Sequence, residues 1–264
     1  MRHLPKLAAA AAVVFHLVLA WSWWSHQELP RGYRDEFFVL EVAVEMGLRL
    51  SNGELGEVAR RFVDGAYYPP LARLPGVVAI ALGGGYRGML LAQACWLLPL
   101  ALGTFLIGRR LAGEWAGAFA VWTVLSGPGV VDAVHRFEPN LGALAMAACT
   151  LAAWMHSDRF RVRRPALLAG ACLGLGLLTD RLGVLPFVLV PFAFSLVAAR
   201  KESREALRAS LRGLGQCLLV TAGVAGWWYL TWLPDFLREL IPQLMQGEIS
   251  TEGELIEAKV PLLA

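Results

Sequence analysis

Long apolar runs, separated by short polar segments, fill most of the chain. A bilayer core about 30 Å thick needs roughly 20 apolar residues at 1.5 Å per helical residue. Seven runs come close to that length, and they predict an all-α polytopic membrane protein with about seven transmembrane helices. The predicted spans are 7–24, 89–107, 115–131, 141–156, 165–179, 182–199 and 213–232.

An eighth apolar run, at 70–82, is too short to cross the bilayer and contains Arg73, Pro75 and Gly76. We expect it to lie in the membrane surface, and the positive-inside rule supports this interpretation. With a cytoplasmic amino terminus and seven spans, all the short basic connections fall inside, whereas an eighth span would place them outside. These connections are 108–113, 157–164 and 200–212.

The predicted topology leaves a long outer loop at 26–88, shorter outer loops at 132–140 and 180–181, and an outer tail at 233–264. Loops as long as the first usually have a structure or function of their own. Phe37, Leu40, Val44 and Leu48 follow helical spacing and predict an amphipathic helix on the membrane surface. A weaker helix is predicted at 54–63. The sequence thus indicates one transmembrane module, 1–232, with juxtamembrane helices in its first outer loop.

Composition excludes several classes of protein. Hydrophobic residues make up 57% of the chain and charged residues 17%, which rules out a soluble enzyme. The formal net charge of +3 is too small to indicate nucleic acid as a partner. All the cysteines lie inside apolar runs, which argues against a disulfide-stapled secreted module.

Glycines recur in the predicted spans, and none is followed by the Lys-Ser or Lys-Thr of a phosphate-binding loop. Close packing between transmembrane helices explains them. We therefore expect neighbouring helices to approach closely at these glycines, which are Gly170, Gly174, Gly176, Gly213, Gly215, Gly223 and Gly226.

Asp35 and Glu36 stand at the predicted start of the amphipathic helix, close to the end of the first span. Acidic residues are favoured in a first helical turn by the macrodipole and by capping. A carboxylate at the rim of the bilayer can also act as a general base toward a lipid-borne substrate. Periodicity alone does not separate the two interpretations.

The order of motifs resembles the integral-membrane glycosyltransferases of the GT-C fold, in particular the protein mannosyltransferase and aminoarabinose transferase group, glycosyltransferase family 39. Asp35-Glu36 matches the acidic pair of the first outer loop in that family. Residues 67–71, Tyr-Tyr-Pro-Pro-Leu, match its Pro-Pro-Leu element, with Tyr68 where the family has a charged or imidazole residue.

Two later motifs extend the resemblance. Residues 135–140, His-Arg-Phe-Glu-Pro-Asn, match the second outer loop, with Asn140 where many members have aspartate. Residues 177–181, Leu-Leu-Thr-Asp-Arg, resemble a Leu-Leu-Thr-Lys turn with the cation displaced to Arg181. Family members continue for several more spans. The resemblance therefore leaves two alternatives: a fragment truncated to the conserved seven-span module, with 233–264 as the start of a further loop, or a minimal member of the family.

The resemblance implies transfer of a sugar from a polyprenyl-phosphate donor to a hydroxyl on protein, lipid or glycan. The site would face the extracytoplasmic side of a bacterial-type inner or plasma membrane, as part of cell-envelope synthesis. Asp35 would be the base, with Glu36 beside it. The substrate-binding candidates are Arg34, Tyr68, Arg136, Glu138, Asn140 and Arg181, with Arg73 behind them.

The chemistry needs positive charge or a divalent metal at the departing phosphate. His135 and Glu138 are weak candidates for metal ligands, and His135 is otherwise a polar loop residue. Arg136 has an alternative role as an interfacial arginine that reaches from a span end. Two rival functions stay open: a lipid or solute transporter or flippase, and a catalytically inactive membrane fragment.

Overall fold

The computed structural model describes residues 3–26, 34–63 and 69–246, of which 34–38, 233 and 235–246 are described by their helical backbone alone. Every regular element in these ranges is a helix, as predicted. A 3-10 turn, Ala94–Trp96, joins α5 to α6. The α-helices are α1 (Leu4–Ser25), α2 (Arg34–Ser51), α3 (Leu55–Val63), α4 (Pro70–Ala81), α5 (Tyr86–Gln93), α6 (Leu97–Ala112), α7 (Glu114–Leu125), α8 (Pro128–Val134), α9 (Asn140–His156), α10 (Arg163–Leu177), α11 (Leu185–Glu202) and α12 (Arg204–Gln246).

Two of the described helices are long and apolar enough to cross a membrane: α1, and the continuous helix Tyr86–Ala112 formed by α5, the 3-10 turn and α6. A third candidate is the pair α7 and α8, if the two together form one broken span. The membrane class is therefore supported. Every other predicted span coincides with a helix, but the count of seven stays a prediction.

Large apolar side chains also stand exposed on the outside of the helix bundle. Phe119, Val190 and Leu219 are each more than 70% exposed. Soluble monomers rarely expose extensive apolar surface, and lipid is the solvent that such a surface fits. This exposure agrees with the presence of the candidate spans.

The third predicted span, 115–131, is not straight. Its helix ends at Leu125 and a new one, α8, begins at Pro128 after a bend of 62°. Proline has no backbone N–H and fixes its own φ, so it begins a helix readily and cannot continue one. The predicted outer loop that follows the span is consequently part helix, because α8 extends to Val134.

The first outer loop contains the predicted helices. The amphipathic segment is α2, the weaker helix is α3, and the short apolar run is α4. The buried stripe of α2 is Val39, Ala43 and Met46, which lie one or two positions before the predicted Leu40, Val44 and Leu48. Leu48 is 54% exposed, and the position of this face on the membrane surface stays a prediction.

Close helix contacts occur at some of the expected glycines and not at others. A Cβ at Gly170 would overlap the carbonyl oxygen of Cys217, and one at Gly174 would lie 2.7 Å from the Cβ of Val224, so α10 packs tightly on α12. Gly213 instead approaches Phe160, in the connection between α9 and α10. Gly215 and Gly223 have nothing within 4 Å, and Gly226 meets only Ala222 of its own helix, at 4.0 Å. The expected contacts with neighbouring helices at these three positions are wrong.

The helix α12 is longer than predicted. It begins at Arg204, before the predicted span, and its helical backbone continues past Trp232 to Gln246, through what was predicted as the start of a loop. At 1.5 Å per residue its length is about 64 Å, roughly twice the thickness of a bilayer core.

Candidate functional site

The loop that leads into α9 carries a small network of charged groups. The Arg136 guanidinium is 2.9 Å from the Asp132 carboxylate and 3.5 Å from that of Glu138. Asn140, the first residue of α9, donates its side-chain N–H to Glu138 over 2.9 Å. Glu138 is thus held between a cation and an amide, and its side chain is 13% exposed.

Neighbouring elements fix the backbone of this loop. The Gln93 side chain at the end of α5 donates a hydrogen bond to the backbone carbonyl of Glu138. Phe137 is fully buried and packs so closely on Gly76 of α4 that a Cβ there would overlap its ring. The His135 ring stacks on Trp23 of α1, with 4.1 Å between the ring centroids.

The Pro-Pro-Leu element meets the Leu-Leu-Thr turn. The backbone N–H of Leu71 donates to the carbonyl of Leu178 over 2.9 Å, and Leu71 packs against the apolar cluster that contains Leu178 and Trp228. Thr179, the next residue of the turn, lies against Gly142 in the first turn of α9. Two motifs that are distant in sequence therefore meet the first turn of α9, which follows the third motif.

Arg181 follows this turn and contacts α12. Its guanidinium carbon lies 5.0 Å from the centre of the Trp232 ring, a distance that permits a cation–π interaction. The Tyr229 hydroxyl lies within hydrogen-bond distance of the backbone carbonyls of Arg181 and Leu177. These contacts tie the turn to α12.

Asp180 stands between these groups and is half-buried. Burial raises the pKa of its carboxyl above the ordinary value, and a backbone hydrogen bond from Arg181 and the charge of Arg181 offset part of the rise. A carboxyl with a raised pKa beside a basic side chain is a recognised feature of functional sites.

Three buried polar atoms in this part of the chain have no hydrogen-bond partner among the described residues: Gln93 Oε1, Trp96 Nε1 and Trp228 Nε1. The Trp96 ring lies against Gly142, and Trp228 packs beside Leu178, so both indoles border the meeting point of the motifs. A buried polar group without a partner is costly, and such groups in native proteins usually have an occupant such as water or a ligand.

The expected metal ligands do not form a site in the described part of the chain. No group of three or more His, Cys, Asp or Glu side chains is suitably arranged there. Glu138 is engaged by Arg136 and Asn140, and the His135 ring is stacked on Trp23. A divalent metal at this loop therefore stays a prediction from the sequence.

The remaining predicted site residues are described in part. Asp35, Glu36 and Arg34 lie in the first turn of α2, and their side chains are outside the described residues, as is the whole of Tyr68. Arg73 is described and is 1% exposed, with Nη1 3.9 Å from the Met46 sulfur. Arg136, Glu138 and Asn140 form one cluster, and Arg181 lies at the neighbouring turn.

Sequence reasoning missed three residues of this region: Gln93, Asp132 and Asp180. Gln93 is a polar side chain within a long apolar run, and a polar group inside a span is a signal in itself. Asp132 stands one helical turn before Arg136, the spacing of an ion pair. Nothing in the sequence marks Asp180 as a site residue apart from its position in the 177–181 turn.

Comparisons of the chain with protein-family models, with curated proteins and with solved structures find no match. The family resemblance in the motifs therefore stays a prediction from the sequence.

Proposed function

We propose that the chain is an integral-membrane glycosyltransferase of the GT-C type, which moves a sugar from a polyprenyl phosphate to a hydroxyl acceptor on the extracytoplasmic face. One observation carries the proposal. The Pro-Pro-Leu element, the 177–181 turn and the start of α9 meet through the Leu71–Leu178 hydrogen bond and the Gly142–Thr179 contact. The family resemblance implies that residues of these motifs belong to one substrate-binding site.

The proposal includes seven spans, with α2, α3 and α4 lying at the outer surface. The charge pattern supports it, because the basic connections between spans then share the cytoplasmic side. The helices α1 and Tyr86–Ala112 are long and apolar enough on their own to cross a membrane. The exposed apolar side chains of α11 and α12 support further spans at those two helices.

In the proposed reaction the acceptor oxygen attacks the anomeric carbon of the sugar, and Asp35 takes the proton of the acceptor hydroxyl. The bond between the anomeric carbon and the phosphate oxygen breaks, and polyprenyl phosphate leaves with its electron pair. Glu36 orients Asp35. Oxocarbenium character develops at the sugar in the transition state, as in inverting glycosidases.

The leaving phosphate needs positive charge in a partly dry site, where each electrostatic contact is stronger than in water. We assign this role to Arg34 and Arg181. The charge of Arg136 is balanced by Asp132 and Glu138, so Arg136 suits positioning better than phosphate binding. Glu138 and Asn140 can then bind sugar hydroxyls, with Tyr68 as a candidate stacking surface.

The test is transfer of a labelled sugar by protein reconstituted in lipid with a polyprenyl-phosphate donor. Asp35→Asn should reduce the rate by a factor of about 100 or more, the usual contribution of a general base. Glu41→Gln is the matched control: it also removes a carboxylate from α2, and Glu41 is exposed. Equal rates for wild type and Asp35→Asn would remove Asp35 from the mechanism.

Topology has its own test. In a variant without the native cysteines, Glu54→Cys places a thiol at the exposed turn between α2 and α3. A membrane-impermeant maleimide added from outside should label it, while Arg164→Cys, in the basic connection, should stay unlabelled until the membrane is opened. The reverse pattern would refute the proposed orientation.

Transport is the second candidate, and the broken helix α7–α8 favours it, because transporters bind substrate at interrupted helices. A cavity of about 240 Å³ lies beside this break, lined mainly by apolar side chains together with His16 and His135. Lipid movement between leaflets without any sugar transfer would favour this function over the first.

A further inference from the structure

The connection between α9 and α10 has an unusual backbone. Asp158, Arg159 and Phe160 all have positive φ, at 47°, 57° and 70°. Residues with a Cβ rarely adopt this left-handed conformation, and consecutive ones are rarer still. Such a turn persists only when its surroundings fix it, and it is a reason to look for a function.

The surroundings of this turn do fix it. The Ser157 hydroxyl accepts the Phe160 N–H over 2.8 Å and donates to the carbonyl of Trp154 over 2.6 Å. The Phe160 ring is 1% exposed and packs edge-on against Phe192 of α11, with 4.8 Å between ring centroids. Gly213 of α12 lies directly against the Phe160 carbonyl.

Glu202, the last residue of α11, ties the connection to the next junction. It forms an ion pair with Arg159, and its second carboxylate oxygen is 3.0 Å from Arg161. Arg161 also lies 3.3 Å from Asp158. Two basic connections are thereby held side by side, and two of their cations are already neutralised.

Other cations of this surface are not neutralised. They are exposed, and none forms an ion pair with a carboxylate of the described residues; Glu205 is the acidic residue that stands among them. We call these cations, together with Glu202 and its ion-pair partners Arg159 and Arg161, the clasped basic surface. Its exposed cations are Arg163, Arg164, Arg200, Lys201, Arg204 and Arg208.

We propose that the clasped basic surface binds the phosphate of an anionic membrane phospholipid. The charges are complementary, and arginine pairs with phosphate oxygens in a bidentate geometry. The surface lies at the ends of the apolar helices α9, α10 and α11, which is where headgroups lie if these helices span the bilayer. The proposal rests on membrane insertion and does not require sugar transfer.

The experiment titrates purified protein in neutral detergent with phosphatidylglycerol and counts bound lipids by native mass spectrometry. Phosphatidylcholine is the uncharged reference. The double variant Arg163→Gln, Arg164→Gln should lower the affinity for phosphatidylglycerol about 30-fold, from the usual contribution of two cations near an anionic surface. High salt should weaken binding to the wild type in the same direction.

Two matched variants separate a site from a general charge effect. Arg109→Gln, Arg110→Gln removes the same charge from exposed residues of α6 and should change the affinity by about twofold or less. Arg163→Lys, Arg164→Lys keeps the charge and should retain most of the binding. Inorganic phosphate at the lipid's concentration should not compete, because it lacks the acyl chains.

Equal losses in the two glutamine variants would overturn the proposal, as would equal binding of phosphatidylglycerol and phosphatidylcholine. A lysine variant that loses as much affinity as the glutamine variant would also overturn it, because packing and not charge would then be responsible. Effective competition by inorganic phosphate would replace the lipid with a soluble anion. None of these outcomes bears on Asp35.

Discussion

Gly213→Ala tests the packing of α12 on the left-handed turn. An added Cβ would overlap the carbonyl oxygen of Phe160 and lie 2.9 Å from its carbonyl carbon. Both are backbone atoms, so no side-chain rotation relieves the overlap. Either α12 moves outward or the turn between Ser157 and Val162 gives way.

Two opposed effects set the magnitude. Replacing glycine by alanine inside a helix stabilises it by about 1 kcal/mol. Forcing an extra group into a packed site costs about 1–3 kcal/mol, and more where the backbone must shift. Because the overlap is with backbone, the second effect should win, and we expect a net loss of about 1–2 kcal/mol in the free energy of unfolding.

Gly215→Ala is the matched control, two residues further along the same helix, where nothing lies within 4 Å of the added Cβ. Only the helix-propensity gain applies there, so this variant should be more stable than wild type by up to about 1 kcal/mol. The assay is reversible unfolding in mixed micelles, followed by tryptophan fluorescence. Two alanine variants of equal stability would refute the contact between α12 and the turn.

The remaining predictions concern Asp180 and Phe160. Burial raises the pKa of Asp180, so the folded chain holds its proton more tightly than the unfolded chain, and stability should fall as pH rises from about 3.9 through the raised value. Asp180→Asn should flatten that part of a melting-temperature profile against pH, and an unchanged slope would contradict the assignment. Phe160→Ala should cost about 3–5 kcal/mol in the same unfolding assay. The exposed Phe194→Ala should change stability by about 0.5 kcal/mol or less, and similar losses in both variants would contradict the buried position of Phe160.

Periodicity predicted the elements better than it predicted their faces. The helices at 34–51 and 70–81 were expected from spacing and from the short apolar run. The stripe of Leu40, Val44 and Leu48 was predicted to face the membrane surface, and periodicity did not predict that a second stripe of α2 packs into the protein. The set that is buried, which includes Ala43, lies where α4 approaches: Gly47 lies against Ile80, and that approach is tertiary information.

The candidate site was predicted as a set of motifs and not as a set of contacts. The sequence placed Arg136, Glu138 and Asn140 within one turn of each other, and they do form a cluster. Their link to Gln93 joins residues 45 positions apart, and no local pattern reports such a contact. The bend before Pro128 was not predicted, although Gly-Pro marks a helix break.

The long helix α12 is a mechanical connection between the two ends of the helix bundle. Gly213 is fixed against Phe160 near one end of the bundle, and Trp232 lies under Arg181 at the other. Those positions are 19 residues apart on a continuous helix (232 − 213), or about 28 Å. If a rigid helix segment of that length tilts by about 5° at Gly213, Trp232 shifts by about 2.5 Å. In the proposed topology these positions face opposite leaflets, so an occupant of one leaflet would alter the geometry around Arg181 in the other.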